Sequence, residues 1–538
     1  MKKFISIFLL LLSNNTFSQE ITYSLSNYLR TGTGKENWGE GGFVGSVDKK
    51  YFDYYSDLRL IYDNFRAGFR YEYVNPPEFS LKKNKISRRF LEYNNGGINI
   101  RIGNSFTLWE RGLALNLFEN RSLGYDTNID GINVDYLSKQ LKVKLIYGNI
   151  NFVEPSTLSD KPRMEKYLLK GAHLGLNVNK NFSFSGGLVI SQNRFPDLID
   201  GQTSESKSYL PEISFQYKSE NINYILNYVR KTLKYENESS TGSGIYSALS
   251  YSGDNLGLTL EYKDYRFDIV DPLAEINPFR TTRMLPFQNP PTVHKEHSFT
   301  LLTRYPHLVN FNDEVGFQVE LFYSPSEKIN YNFNLSAASK HFAYLFDRNK
   351  FKFVKQGRTI SWLPNFSAEY NPFFEFYFET EYFLEQRESL IRTGFNYRSN
   401  IYFDAISEQN SIQPLKQFTF PFYFQYLFSD EYSIKISSES QWVLKYPESK
   451  YFYNQLISLQ NVLYSNLSIN GRFEFTTSID EPNGDKVWFV AEAGYRLGTN
   501  HIFLISYGSE RGGQICSNGL CRQVLPFTGL RFSVISNI

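Results

Sequence analysis

The densest group of residues able to do chemistry is charged rather than nucleophilic. It runs Trp109-Glu110-Arg111-Gly112, then Glu119-Asn120-Arg121-Ser122-Leu123-Gly124, then Asp126 to Asp135. Acids and bases interleaved on a loop that folds into a water-filled lumen would create a transverse field able to orient or filter solutes. On that reading Glu110, Arg111, Glu119, Arg121, Asp126 and Asp130 are candidate pore-lining or constriction residues. The same charges could instead pair with one another and only fill an interior, since each has an opposite sign close by.

Other chemistries fit less well. Asp126-Thr127-Asn128-Ile129-Asp130-Gly131 imitates the opening of a calcium loop, but Leu137 stands where a bidentate Glu is needed. An Asx-rich turn leading into a strand explains the segment better. His294-Lys295-Glu296-His297 invites a zinc reading, yet the segment is expected to lead into a strand over Ser298 to Arg304, where positions three apart face opposite sides. No metal or cofactor is expected. The histidines at 173, 294, 297, 307, 341 and 501 keep a hydrolase formally open, but no serine or carboxylate spacing selects one, and the chain is not read as an enzyme. Cys516 and Cys521 stand in a Gly- and Asn-containing segment of an exported chain, where a local loop disulfide is the expectation.

The elements that would position these residues are strands. Lys2 and Lys3, the apolar stretch Phe4 to Leu12, and the small residues Thr16 and Ser18 read as a secretory signal over 1–18, cut before Gln19. No cysteine follows it to take a lipid, and no run approaches the roughly 18 apolar residues of a spanning helix. Of 57 basic residues two leave with the signal, so the mature chain is near neutral against 55 acidic ones and has no field for nucleic acid. Aromatics make up 17% of the chain while mean hydropathy is −0.40. That pairing suits a barrel whose lipid-facing apolar residues alternate with polar lumen-facing ones. Strict alternation recurs in Phe65 to Tyr73, Leu256 to Tyr262, Val315 to Tyr323, Phe374 to Phe383, Phe418 to Phe428 and Val487 to Tyr495.

Aromatics before short polar turns orient the strands: Tyr62, Tyr93, Tyr136, Tyr217, Tyr251, Tyr323, Tyr370, Tyr397, Phe428 and Tyr495, with Val178 and Leu467 in similar places. They read as a girdle on a short-turn, periplasmic side. The long polar connections Thr31 to Lys50, Asn104 to Asn128, Asn151 to Lys170, Phe267 to Lys295 and Lys340 to Thr359 are then extracellular loops. About twelve short turns predict an all-β, transmembrane, antiparallel up-and-down barrel of about 22 to 26 strands over 19–538, with the count itself leaning to about 26. Phe527 to Ile538 suits the closing strand. No globular segment is visible before the strands near Ile21 to Arg30, which argues against a transporter with a separate plug domain.

Three stretches carry a family resemblance: Trp109 to Leu115 continuing through Asn120 to Gly124 and Ile129 to Gly131; Asn289 to Thr292 through His297 to Leu302 and Arg304 to Pro306; and Arg511 to Gly513 with Cys516 to Cys521. They resemble an uncharacterised family of Bacteroidota outer-membrane β-barrels that carries a domain-of-unknown-function label. The resemblance implies a barrel in the outer membrane, with links by analogy to nutrient uptake, gliding or protein export. It supplies no catalytic residues.

Three functions are therefore expected in order: a porin-like or substrate-selective passive channel for a small solute, a non-conducting barrel that scaffolds an envelope, secretion or motility assembly by binding a surface lipoprotein, and an outer-membrane hydrolase. Outer-membrane lipid is the one partner common to all three, since a large barrel must enclose water or a filling and face lipid outside.

Overall fold

A computed structural model describes residues 21–40, 43–78, 81–153, 164–196, 203–235, 238–267, 285–384, 388–404, 411–446, 448–481, 484–517, 520–524 and 526–538. The signal segment expected over 1–18 lies outside them. Alternation in the sequence becomes alternation in space: in the strand Met164–Asn177, Tyr167, Leu169 and His173 are buried, whereas Leu174 and Leu176 are about half exposed. A sheet with one apolar face toward lipid cannot leave an open edge there, because unpaired backbone groups have no water to bond. Closure satisfies them. Twenty-four antiparallel strands form one sheet, each bonded to its sequence neighbours, and Thr22–Glu40 pairs with Phe527–Asn537 to complete the ring. All six alternating stretches named above lie in its strands.

Twenty-four falls within the expected 22 to 26, and the lean toward 26 has a visible reason: two of the twelve turn signals mark no short turn, while the short connection between Phe383 and Leu390 carries no such signal. Tyr397 precedes no turn but sits within the strand Leu390–Asp404; Arg398 and Asn400 beside it are polar because they face the lumen. Tyr370 belongs to the single turn of 3-10 helix Ala368–Tyr370 at the opposite, long-loop rim. The remaining aromatics of the girdle lie at or near strand ends on the short-turn rim.

Two further expectations are corrected. Thr31 to Lys50 is not a loop: Thr22–Glu40 and Phe43–Tyr62 stay paired from Thr22 opposite Ile61 up to Glu40 opposite Phe43. Its polar, Gly-rich composition follows from a hairpin that needs no apolar face above lipid, and Lys49 pairs with Glu36 at 3.0 Å across it. Ser298 to Arg304 is not a strand either; Thr300–Arg304 forms a short helix, whose first amide groups find a carboxylate inside the barrel. Cys516 and Cys521 are register partners in the hairpin of Gly513–Ser517 with Leu520–Val524, and their side chains lie outside the described residues.

Candidate functional site

Two inter-strand segments turn inward from the long-loop rim and meet inside the barrel. The first, residues 106–128, follows the strand Ile98–Ser105. It reverses through Trp109-Glu110-Arg111-Gly112, where the Gly112 amide donates to the Trp109 carbonyl at 2.8 Å and the Trp109 amide donates to Leu115 at 3.0 Å. Gly112 has φ +81°, and a Cβ there would lie 2.8 Å from the Asn289 carbonyl, so the turn calls for glycine. Trp109 is fully buried against Gly171 of the wall, its ring 5.3 Å from His173. Leu113, Leu115 and Leu123 join inward-facing Ile146, Ile150 and Leu169 in one apolar cluster. Each such side chain stabilises the inward fold by about 1.5–3 kcal/mol relative to exposure.

The second segment, residues 285–313, spans the lumen. It begins on the first: Asn116 donates its amide to Phe287 at 2.7 Å, Gln288 donates to the Leu113 carbonyl at 2.8 Å, and the Tyr125 hydroxyl donates to Pro286. Its middle is then taken by polar wall residues. His297 Nε2 lies 2.8 Å from Glu375, which also receives two nitrogens of Arg398. Arg398 donates its third to the carbonyls of Leu302 at 3.0 Å and Tyr305 at 2.9 Å. The Glu439 carboxylate accepts the amides of Thr300 at 2.9 Å and Leu301 at 2.6 Å, capping the short helix at its positive end. Arg304 finally donates to Glu474 at 2.7 Å and to the Gly512 carbonyl at 2.8 Å. Gly512 lies between strands His501–Glu510 and Phe527–Asn537, nearly across the ring from the strands Leu256–Arg266 and Glu314–Ser326 that carry the segment. The described end of the loop expected to project at Phe267 to Lys295 thus folds inward; residues 268–284 lie outside the described set.

The sequence-chosen charges divide. Glu119, Arg121 and Asp126 converge with wall residues the sequence did not single out. Arg70 donates to Asp57 at 2.7 Å and to both Glu119 oxygens at 2.9 and 3.0 Å; Arg88 reaches Glu119 at 2.7 Å and Asp126 at 2.8 Å. Arg121 stands 3.6 Å from Asp57. Burial raises the Asp126 pKa, but Arg88 and the Asn128 groups outweigh it and hold the carboxyl below its ordinary value. Asn128 donates both its amide and side chain to Asp126, the Asx turn expected before the strand Ile129–Leu137. Glu110 sits elsewhere, 2.8 Å from Ser185 and 3.2 Å from His173; burial raises its pKa, and those two partners bring it below normal. Arg111 is exposed. Asp130 is exposed too and shares the outward register of Ile132 and Tyr136, so it does not line the lumen. The missed residues Asp57, Arg70 and Arg88 are charged side chains at inward positions of alternating strands, but those strands carry further charges such as Arg59, Arg66 and Glu92, so the sequence alone does not set them apart.

The histidines do not act as one group. His294 packs edge-on to His307, and burial pushes it down to about 3, so it is neutral at physiological pH. His501 Nδ1 lies 2.8 Å from Ser536 Oγ, but the pair faces outward at the short-turn rim and no carboxylate bonds its other nitrogen among the described residues. His341 bridges Asp264 at 3.0 Å and Asp313 at 2.7 Å, where the second inward segment leaves the lumen. Burial lowers its pKa, yet the two carboxylates outweigh this and raise it above 6.5. Its folded value exceeds its unfolded one, so this bridge stabilises fully below pH 6.5 and is lost as pH rises through the folded value. Melting curves across that window should show a loss of stability with rising pH that His341→Gln abolishes; an unchanged slope in the variant would assign it elsewhere.

The family model of DUF6029, a family of unknown function, matches residues 1–538. No curated protein matches the chain by sequence. Among solved structures, the copper transporter OprC is 10% identical, with 96% of this chain and 80% of that chain covered and a TM-score of 0.47. The siderophore receptor PirA from Pseudomonas aeruginosa is 7% identical, with 97% and 81% covered and a TM-score of 0.47. The P pilus usher PapC translocation pore is 8% identical, with 96% and 99% covered and a TM-score of 0.44. These likenesses stop at a large β-barrel and carry no argument about cargo. The full-length match makes the chain a member of the DUF6029 family.

Proposed function

We propose that this protein is an outer-membrane barrel through which a small solute passes, and that its two inward segments hold it closed at rest. The observation that carries this reading is the reach of Arg304 across the ring to Glu474 and Gly512. A porin loop that merely narrows a pore needs no such tie to the far wall. The inner wall also keeps alternating polar groups such as Arg101, Asn332 and Arg472, as a water-filled passage requires. Glu119, Arg121, Asp126 and Glu110 then act as part of the closure, while Arg111 stays exposed. Transport requires residues 285–313, or both segments, to shift.

The shared apolar cluster around Trp109 favours a second reading, a permanently filled barrel that scaffolds an assembly. Single-channel recording of the purified barrel separates the two. Wild type is expected to show rare small steps, and Arg304→Ala frequent large ones. Steady large steps in wild type would overturn closure at rest. Silence in both, with heat-modifiable gel mobility proving a folded barrel, would leave the scaffold.

A further inference from the structure

The connection between strands Ile329–Ser339 and Phe373–Phe383 does not turn inward as residues 106–128 and 285–313 do. It first makes a hairpin of Ala343–Asp347 with Lys352–Gln356, then returns along the outside of the barrel. The return is fixed by Tyr262, whose hydroxyl donates to the Trp362 carbonyl at 2.9 Å, and by Phe366, whose ring lies 6.4 Å from Phe374. Tyr262 and Phe374 both belong to the outward, lipid-facing register, since Lys263 and Glu375 beside them point into the lumen. Along this run Ile360, Trp362 and Phe366 are 53%, 60% and 57% exposed.

The hairpin above it is basic. Arg348, Lys350, Lys352 and Lys355 are all exposed, with Asp347 the one acid between 343 and 358, and Phe351 at its tip is 84% exposed. Apolar rings placed against the lipid-facing wall beneath a cationic hairpin match the two layers of an anionic lipid, acyl chain below and charged headgroup above. A protein partner would not require the apolar run to lie at the level of the lipid-facing wall.

We propose that the hairpin 343–356 and the run 357–367 form a docking site for a phosphorylated lipid of the surrounding leaflet. The long-loop rim faces outward in outer-membrane barrels, so the lipid is that of the outer leaflet, and lipid A is the probe. The site rests on the outer-membrane placement but not on whether the lumen conducts. Native mass spectrometry of the full-length barrel in detergent, titrated with lipid A, tests it. Wild type should retain lipid A, and the combined variant Lys350→Glu, Lys352→Glu, Lys355→Glu should bind it on the order of 100-fold more weakly, each cation near a membrane surface contributing comparably. The three lysines are exposed, and unchanged gel mobility of the variant establishes that it folds. Equal retention by the variant, or equal retention of lipid A stripped of its phosphates by wild type, overturns the site.

Discussion

Replacing Arg398 by alanine is expected to destabilise the barrel by about 3–5 kcal/mol, because it leaves a buried carboxylate without its counter-charge. Glu375 is fully buried and takes Arg398 through two nitrogens, with Asn396 and His297 bonded to the same carboxylate oxygen. The same guanidinium holds the carbonyls of Leu302 and Tyr305, so the variant also releases the middle of the lumen-spanning segment. Urea unfolding into lipid vesicles measures the first effect and channel recording the second. Arg398→Met combined with Glu375→Leu should recover most of the stability, since replacing a buried pair by apolar residues of similar volume is often neutral or better. The double variant should still conduct more than wild type, because two carbonyl bonds to the segment remain lost. A double variant as unstable as the single one would show that packing, rather than the orphaned charge, sets the cost.

Arg398 also shows where sequence reading stopped. The strands were legible because lipid on one side and polar groups on the other impose a period of two, and Phe374 to Phe383 or Val487 to Tyr495 display it without help from neighbours. What period two does not reveal is whether the polar face meets water or protein. Arg398-Ser399-Asn400 therefore passed for a turn after Tyr397, and Thr300 to Arg304 for a strand, although the latter is helical because Glu439, 139 residues away in sequence, waits for its amide groups. The inward fold of residues 106–128 was readable from its charge density, as was the Asx turn at Asp126. Its partners were not: Arg70 and Arg88 come from separate strands, and only barrel closure brings them to Glu119. Asp130 was misplaced by one residue of register, which in a strand is the difference between lumen and exterior.

Glu119→Ala is the substitution with the largest expected effect on ion selectivity. Glu119 stands between Arg70 and Arg88 and within 3.5 Å of Arg121, while Asp57 and Asp126 are the other acids of the knot. Removing it leaves three guanidinium groups facing two carboxylates. Arg70 and Arg88 are each about nine-tenths buried, so salt screens the surplus charge only weakly. The expected cost is about 3 kcal/mol, with loosening of the 106–128 segment from the strands Phe43–Tyr62, Phe65–Val74 and Lys83–Asn95. Whatever current the variant passes should shift toward anions, read as a change of sign or size in reversal potential under a salt gradient. Glu119→Gln separates the two contributions, since it keeps the side chain's size but not its charge and should shift selectivity while costing less stability. Glu110→Ala provides the contrast: it gives up the hydrogen bond from Ser185 and the 3.2 Å contact with His173, and should cost about 1 kcal/mol. If Glu110→Ala moves the reversal potential and Glu119→Ala does not, the ions pass beside the Trp109 turn and the arginine knot is purely structural.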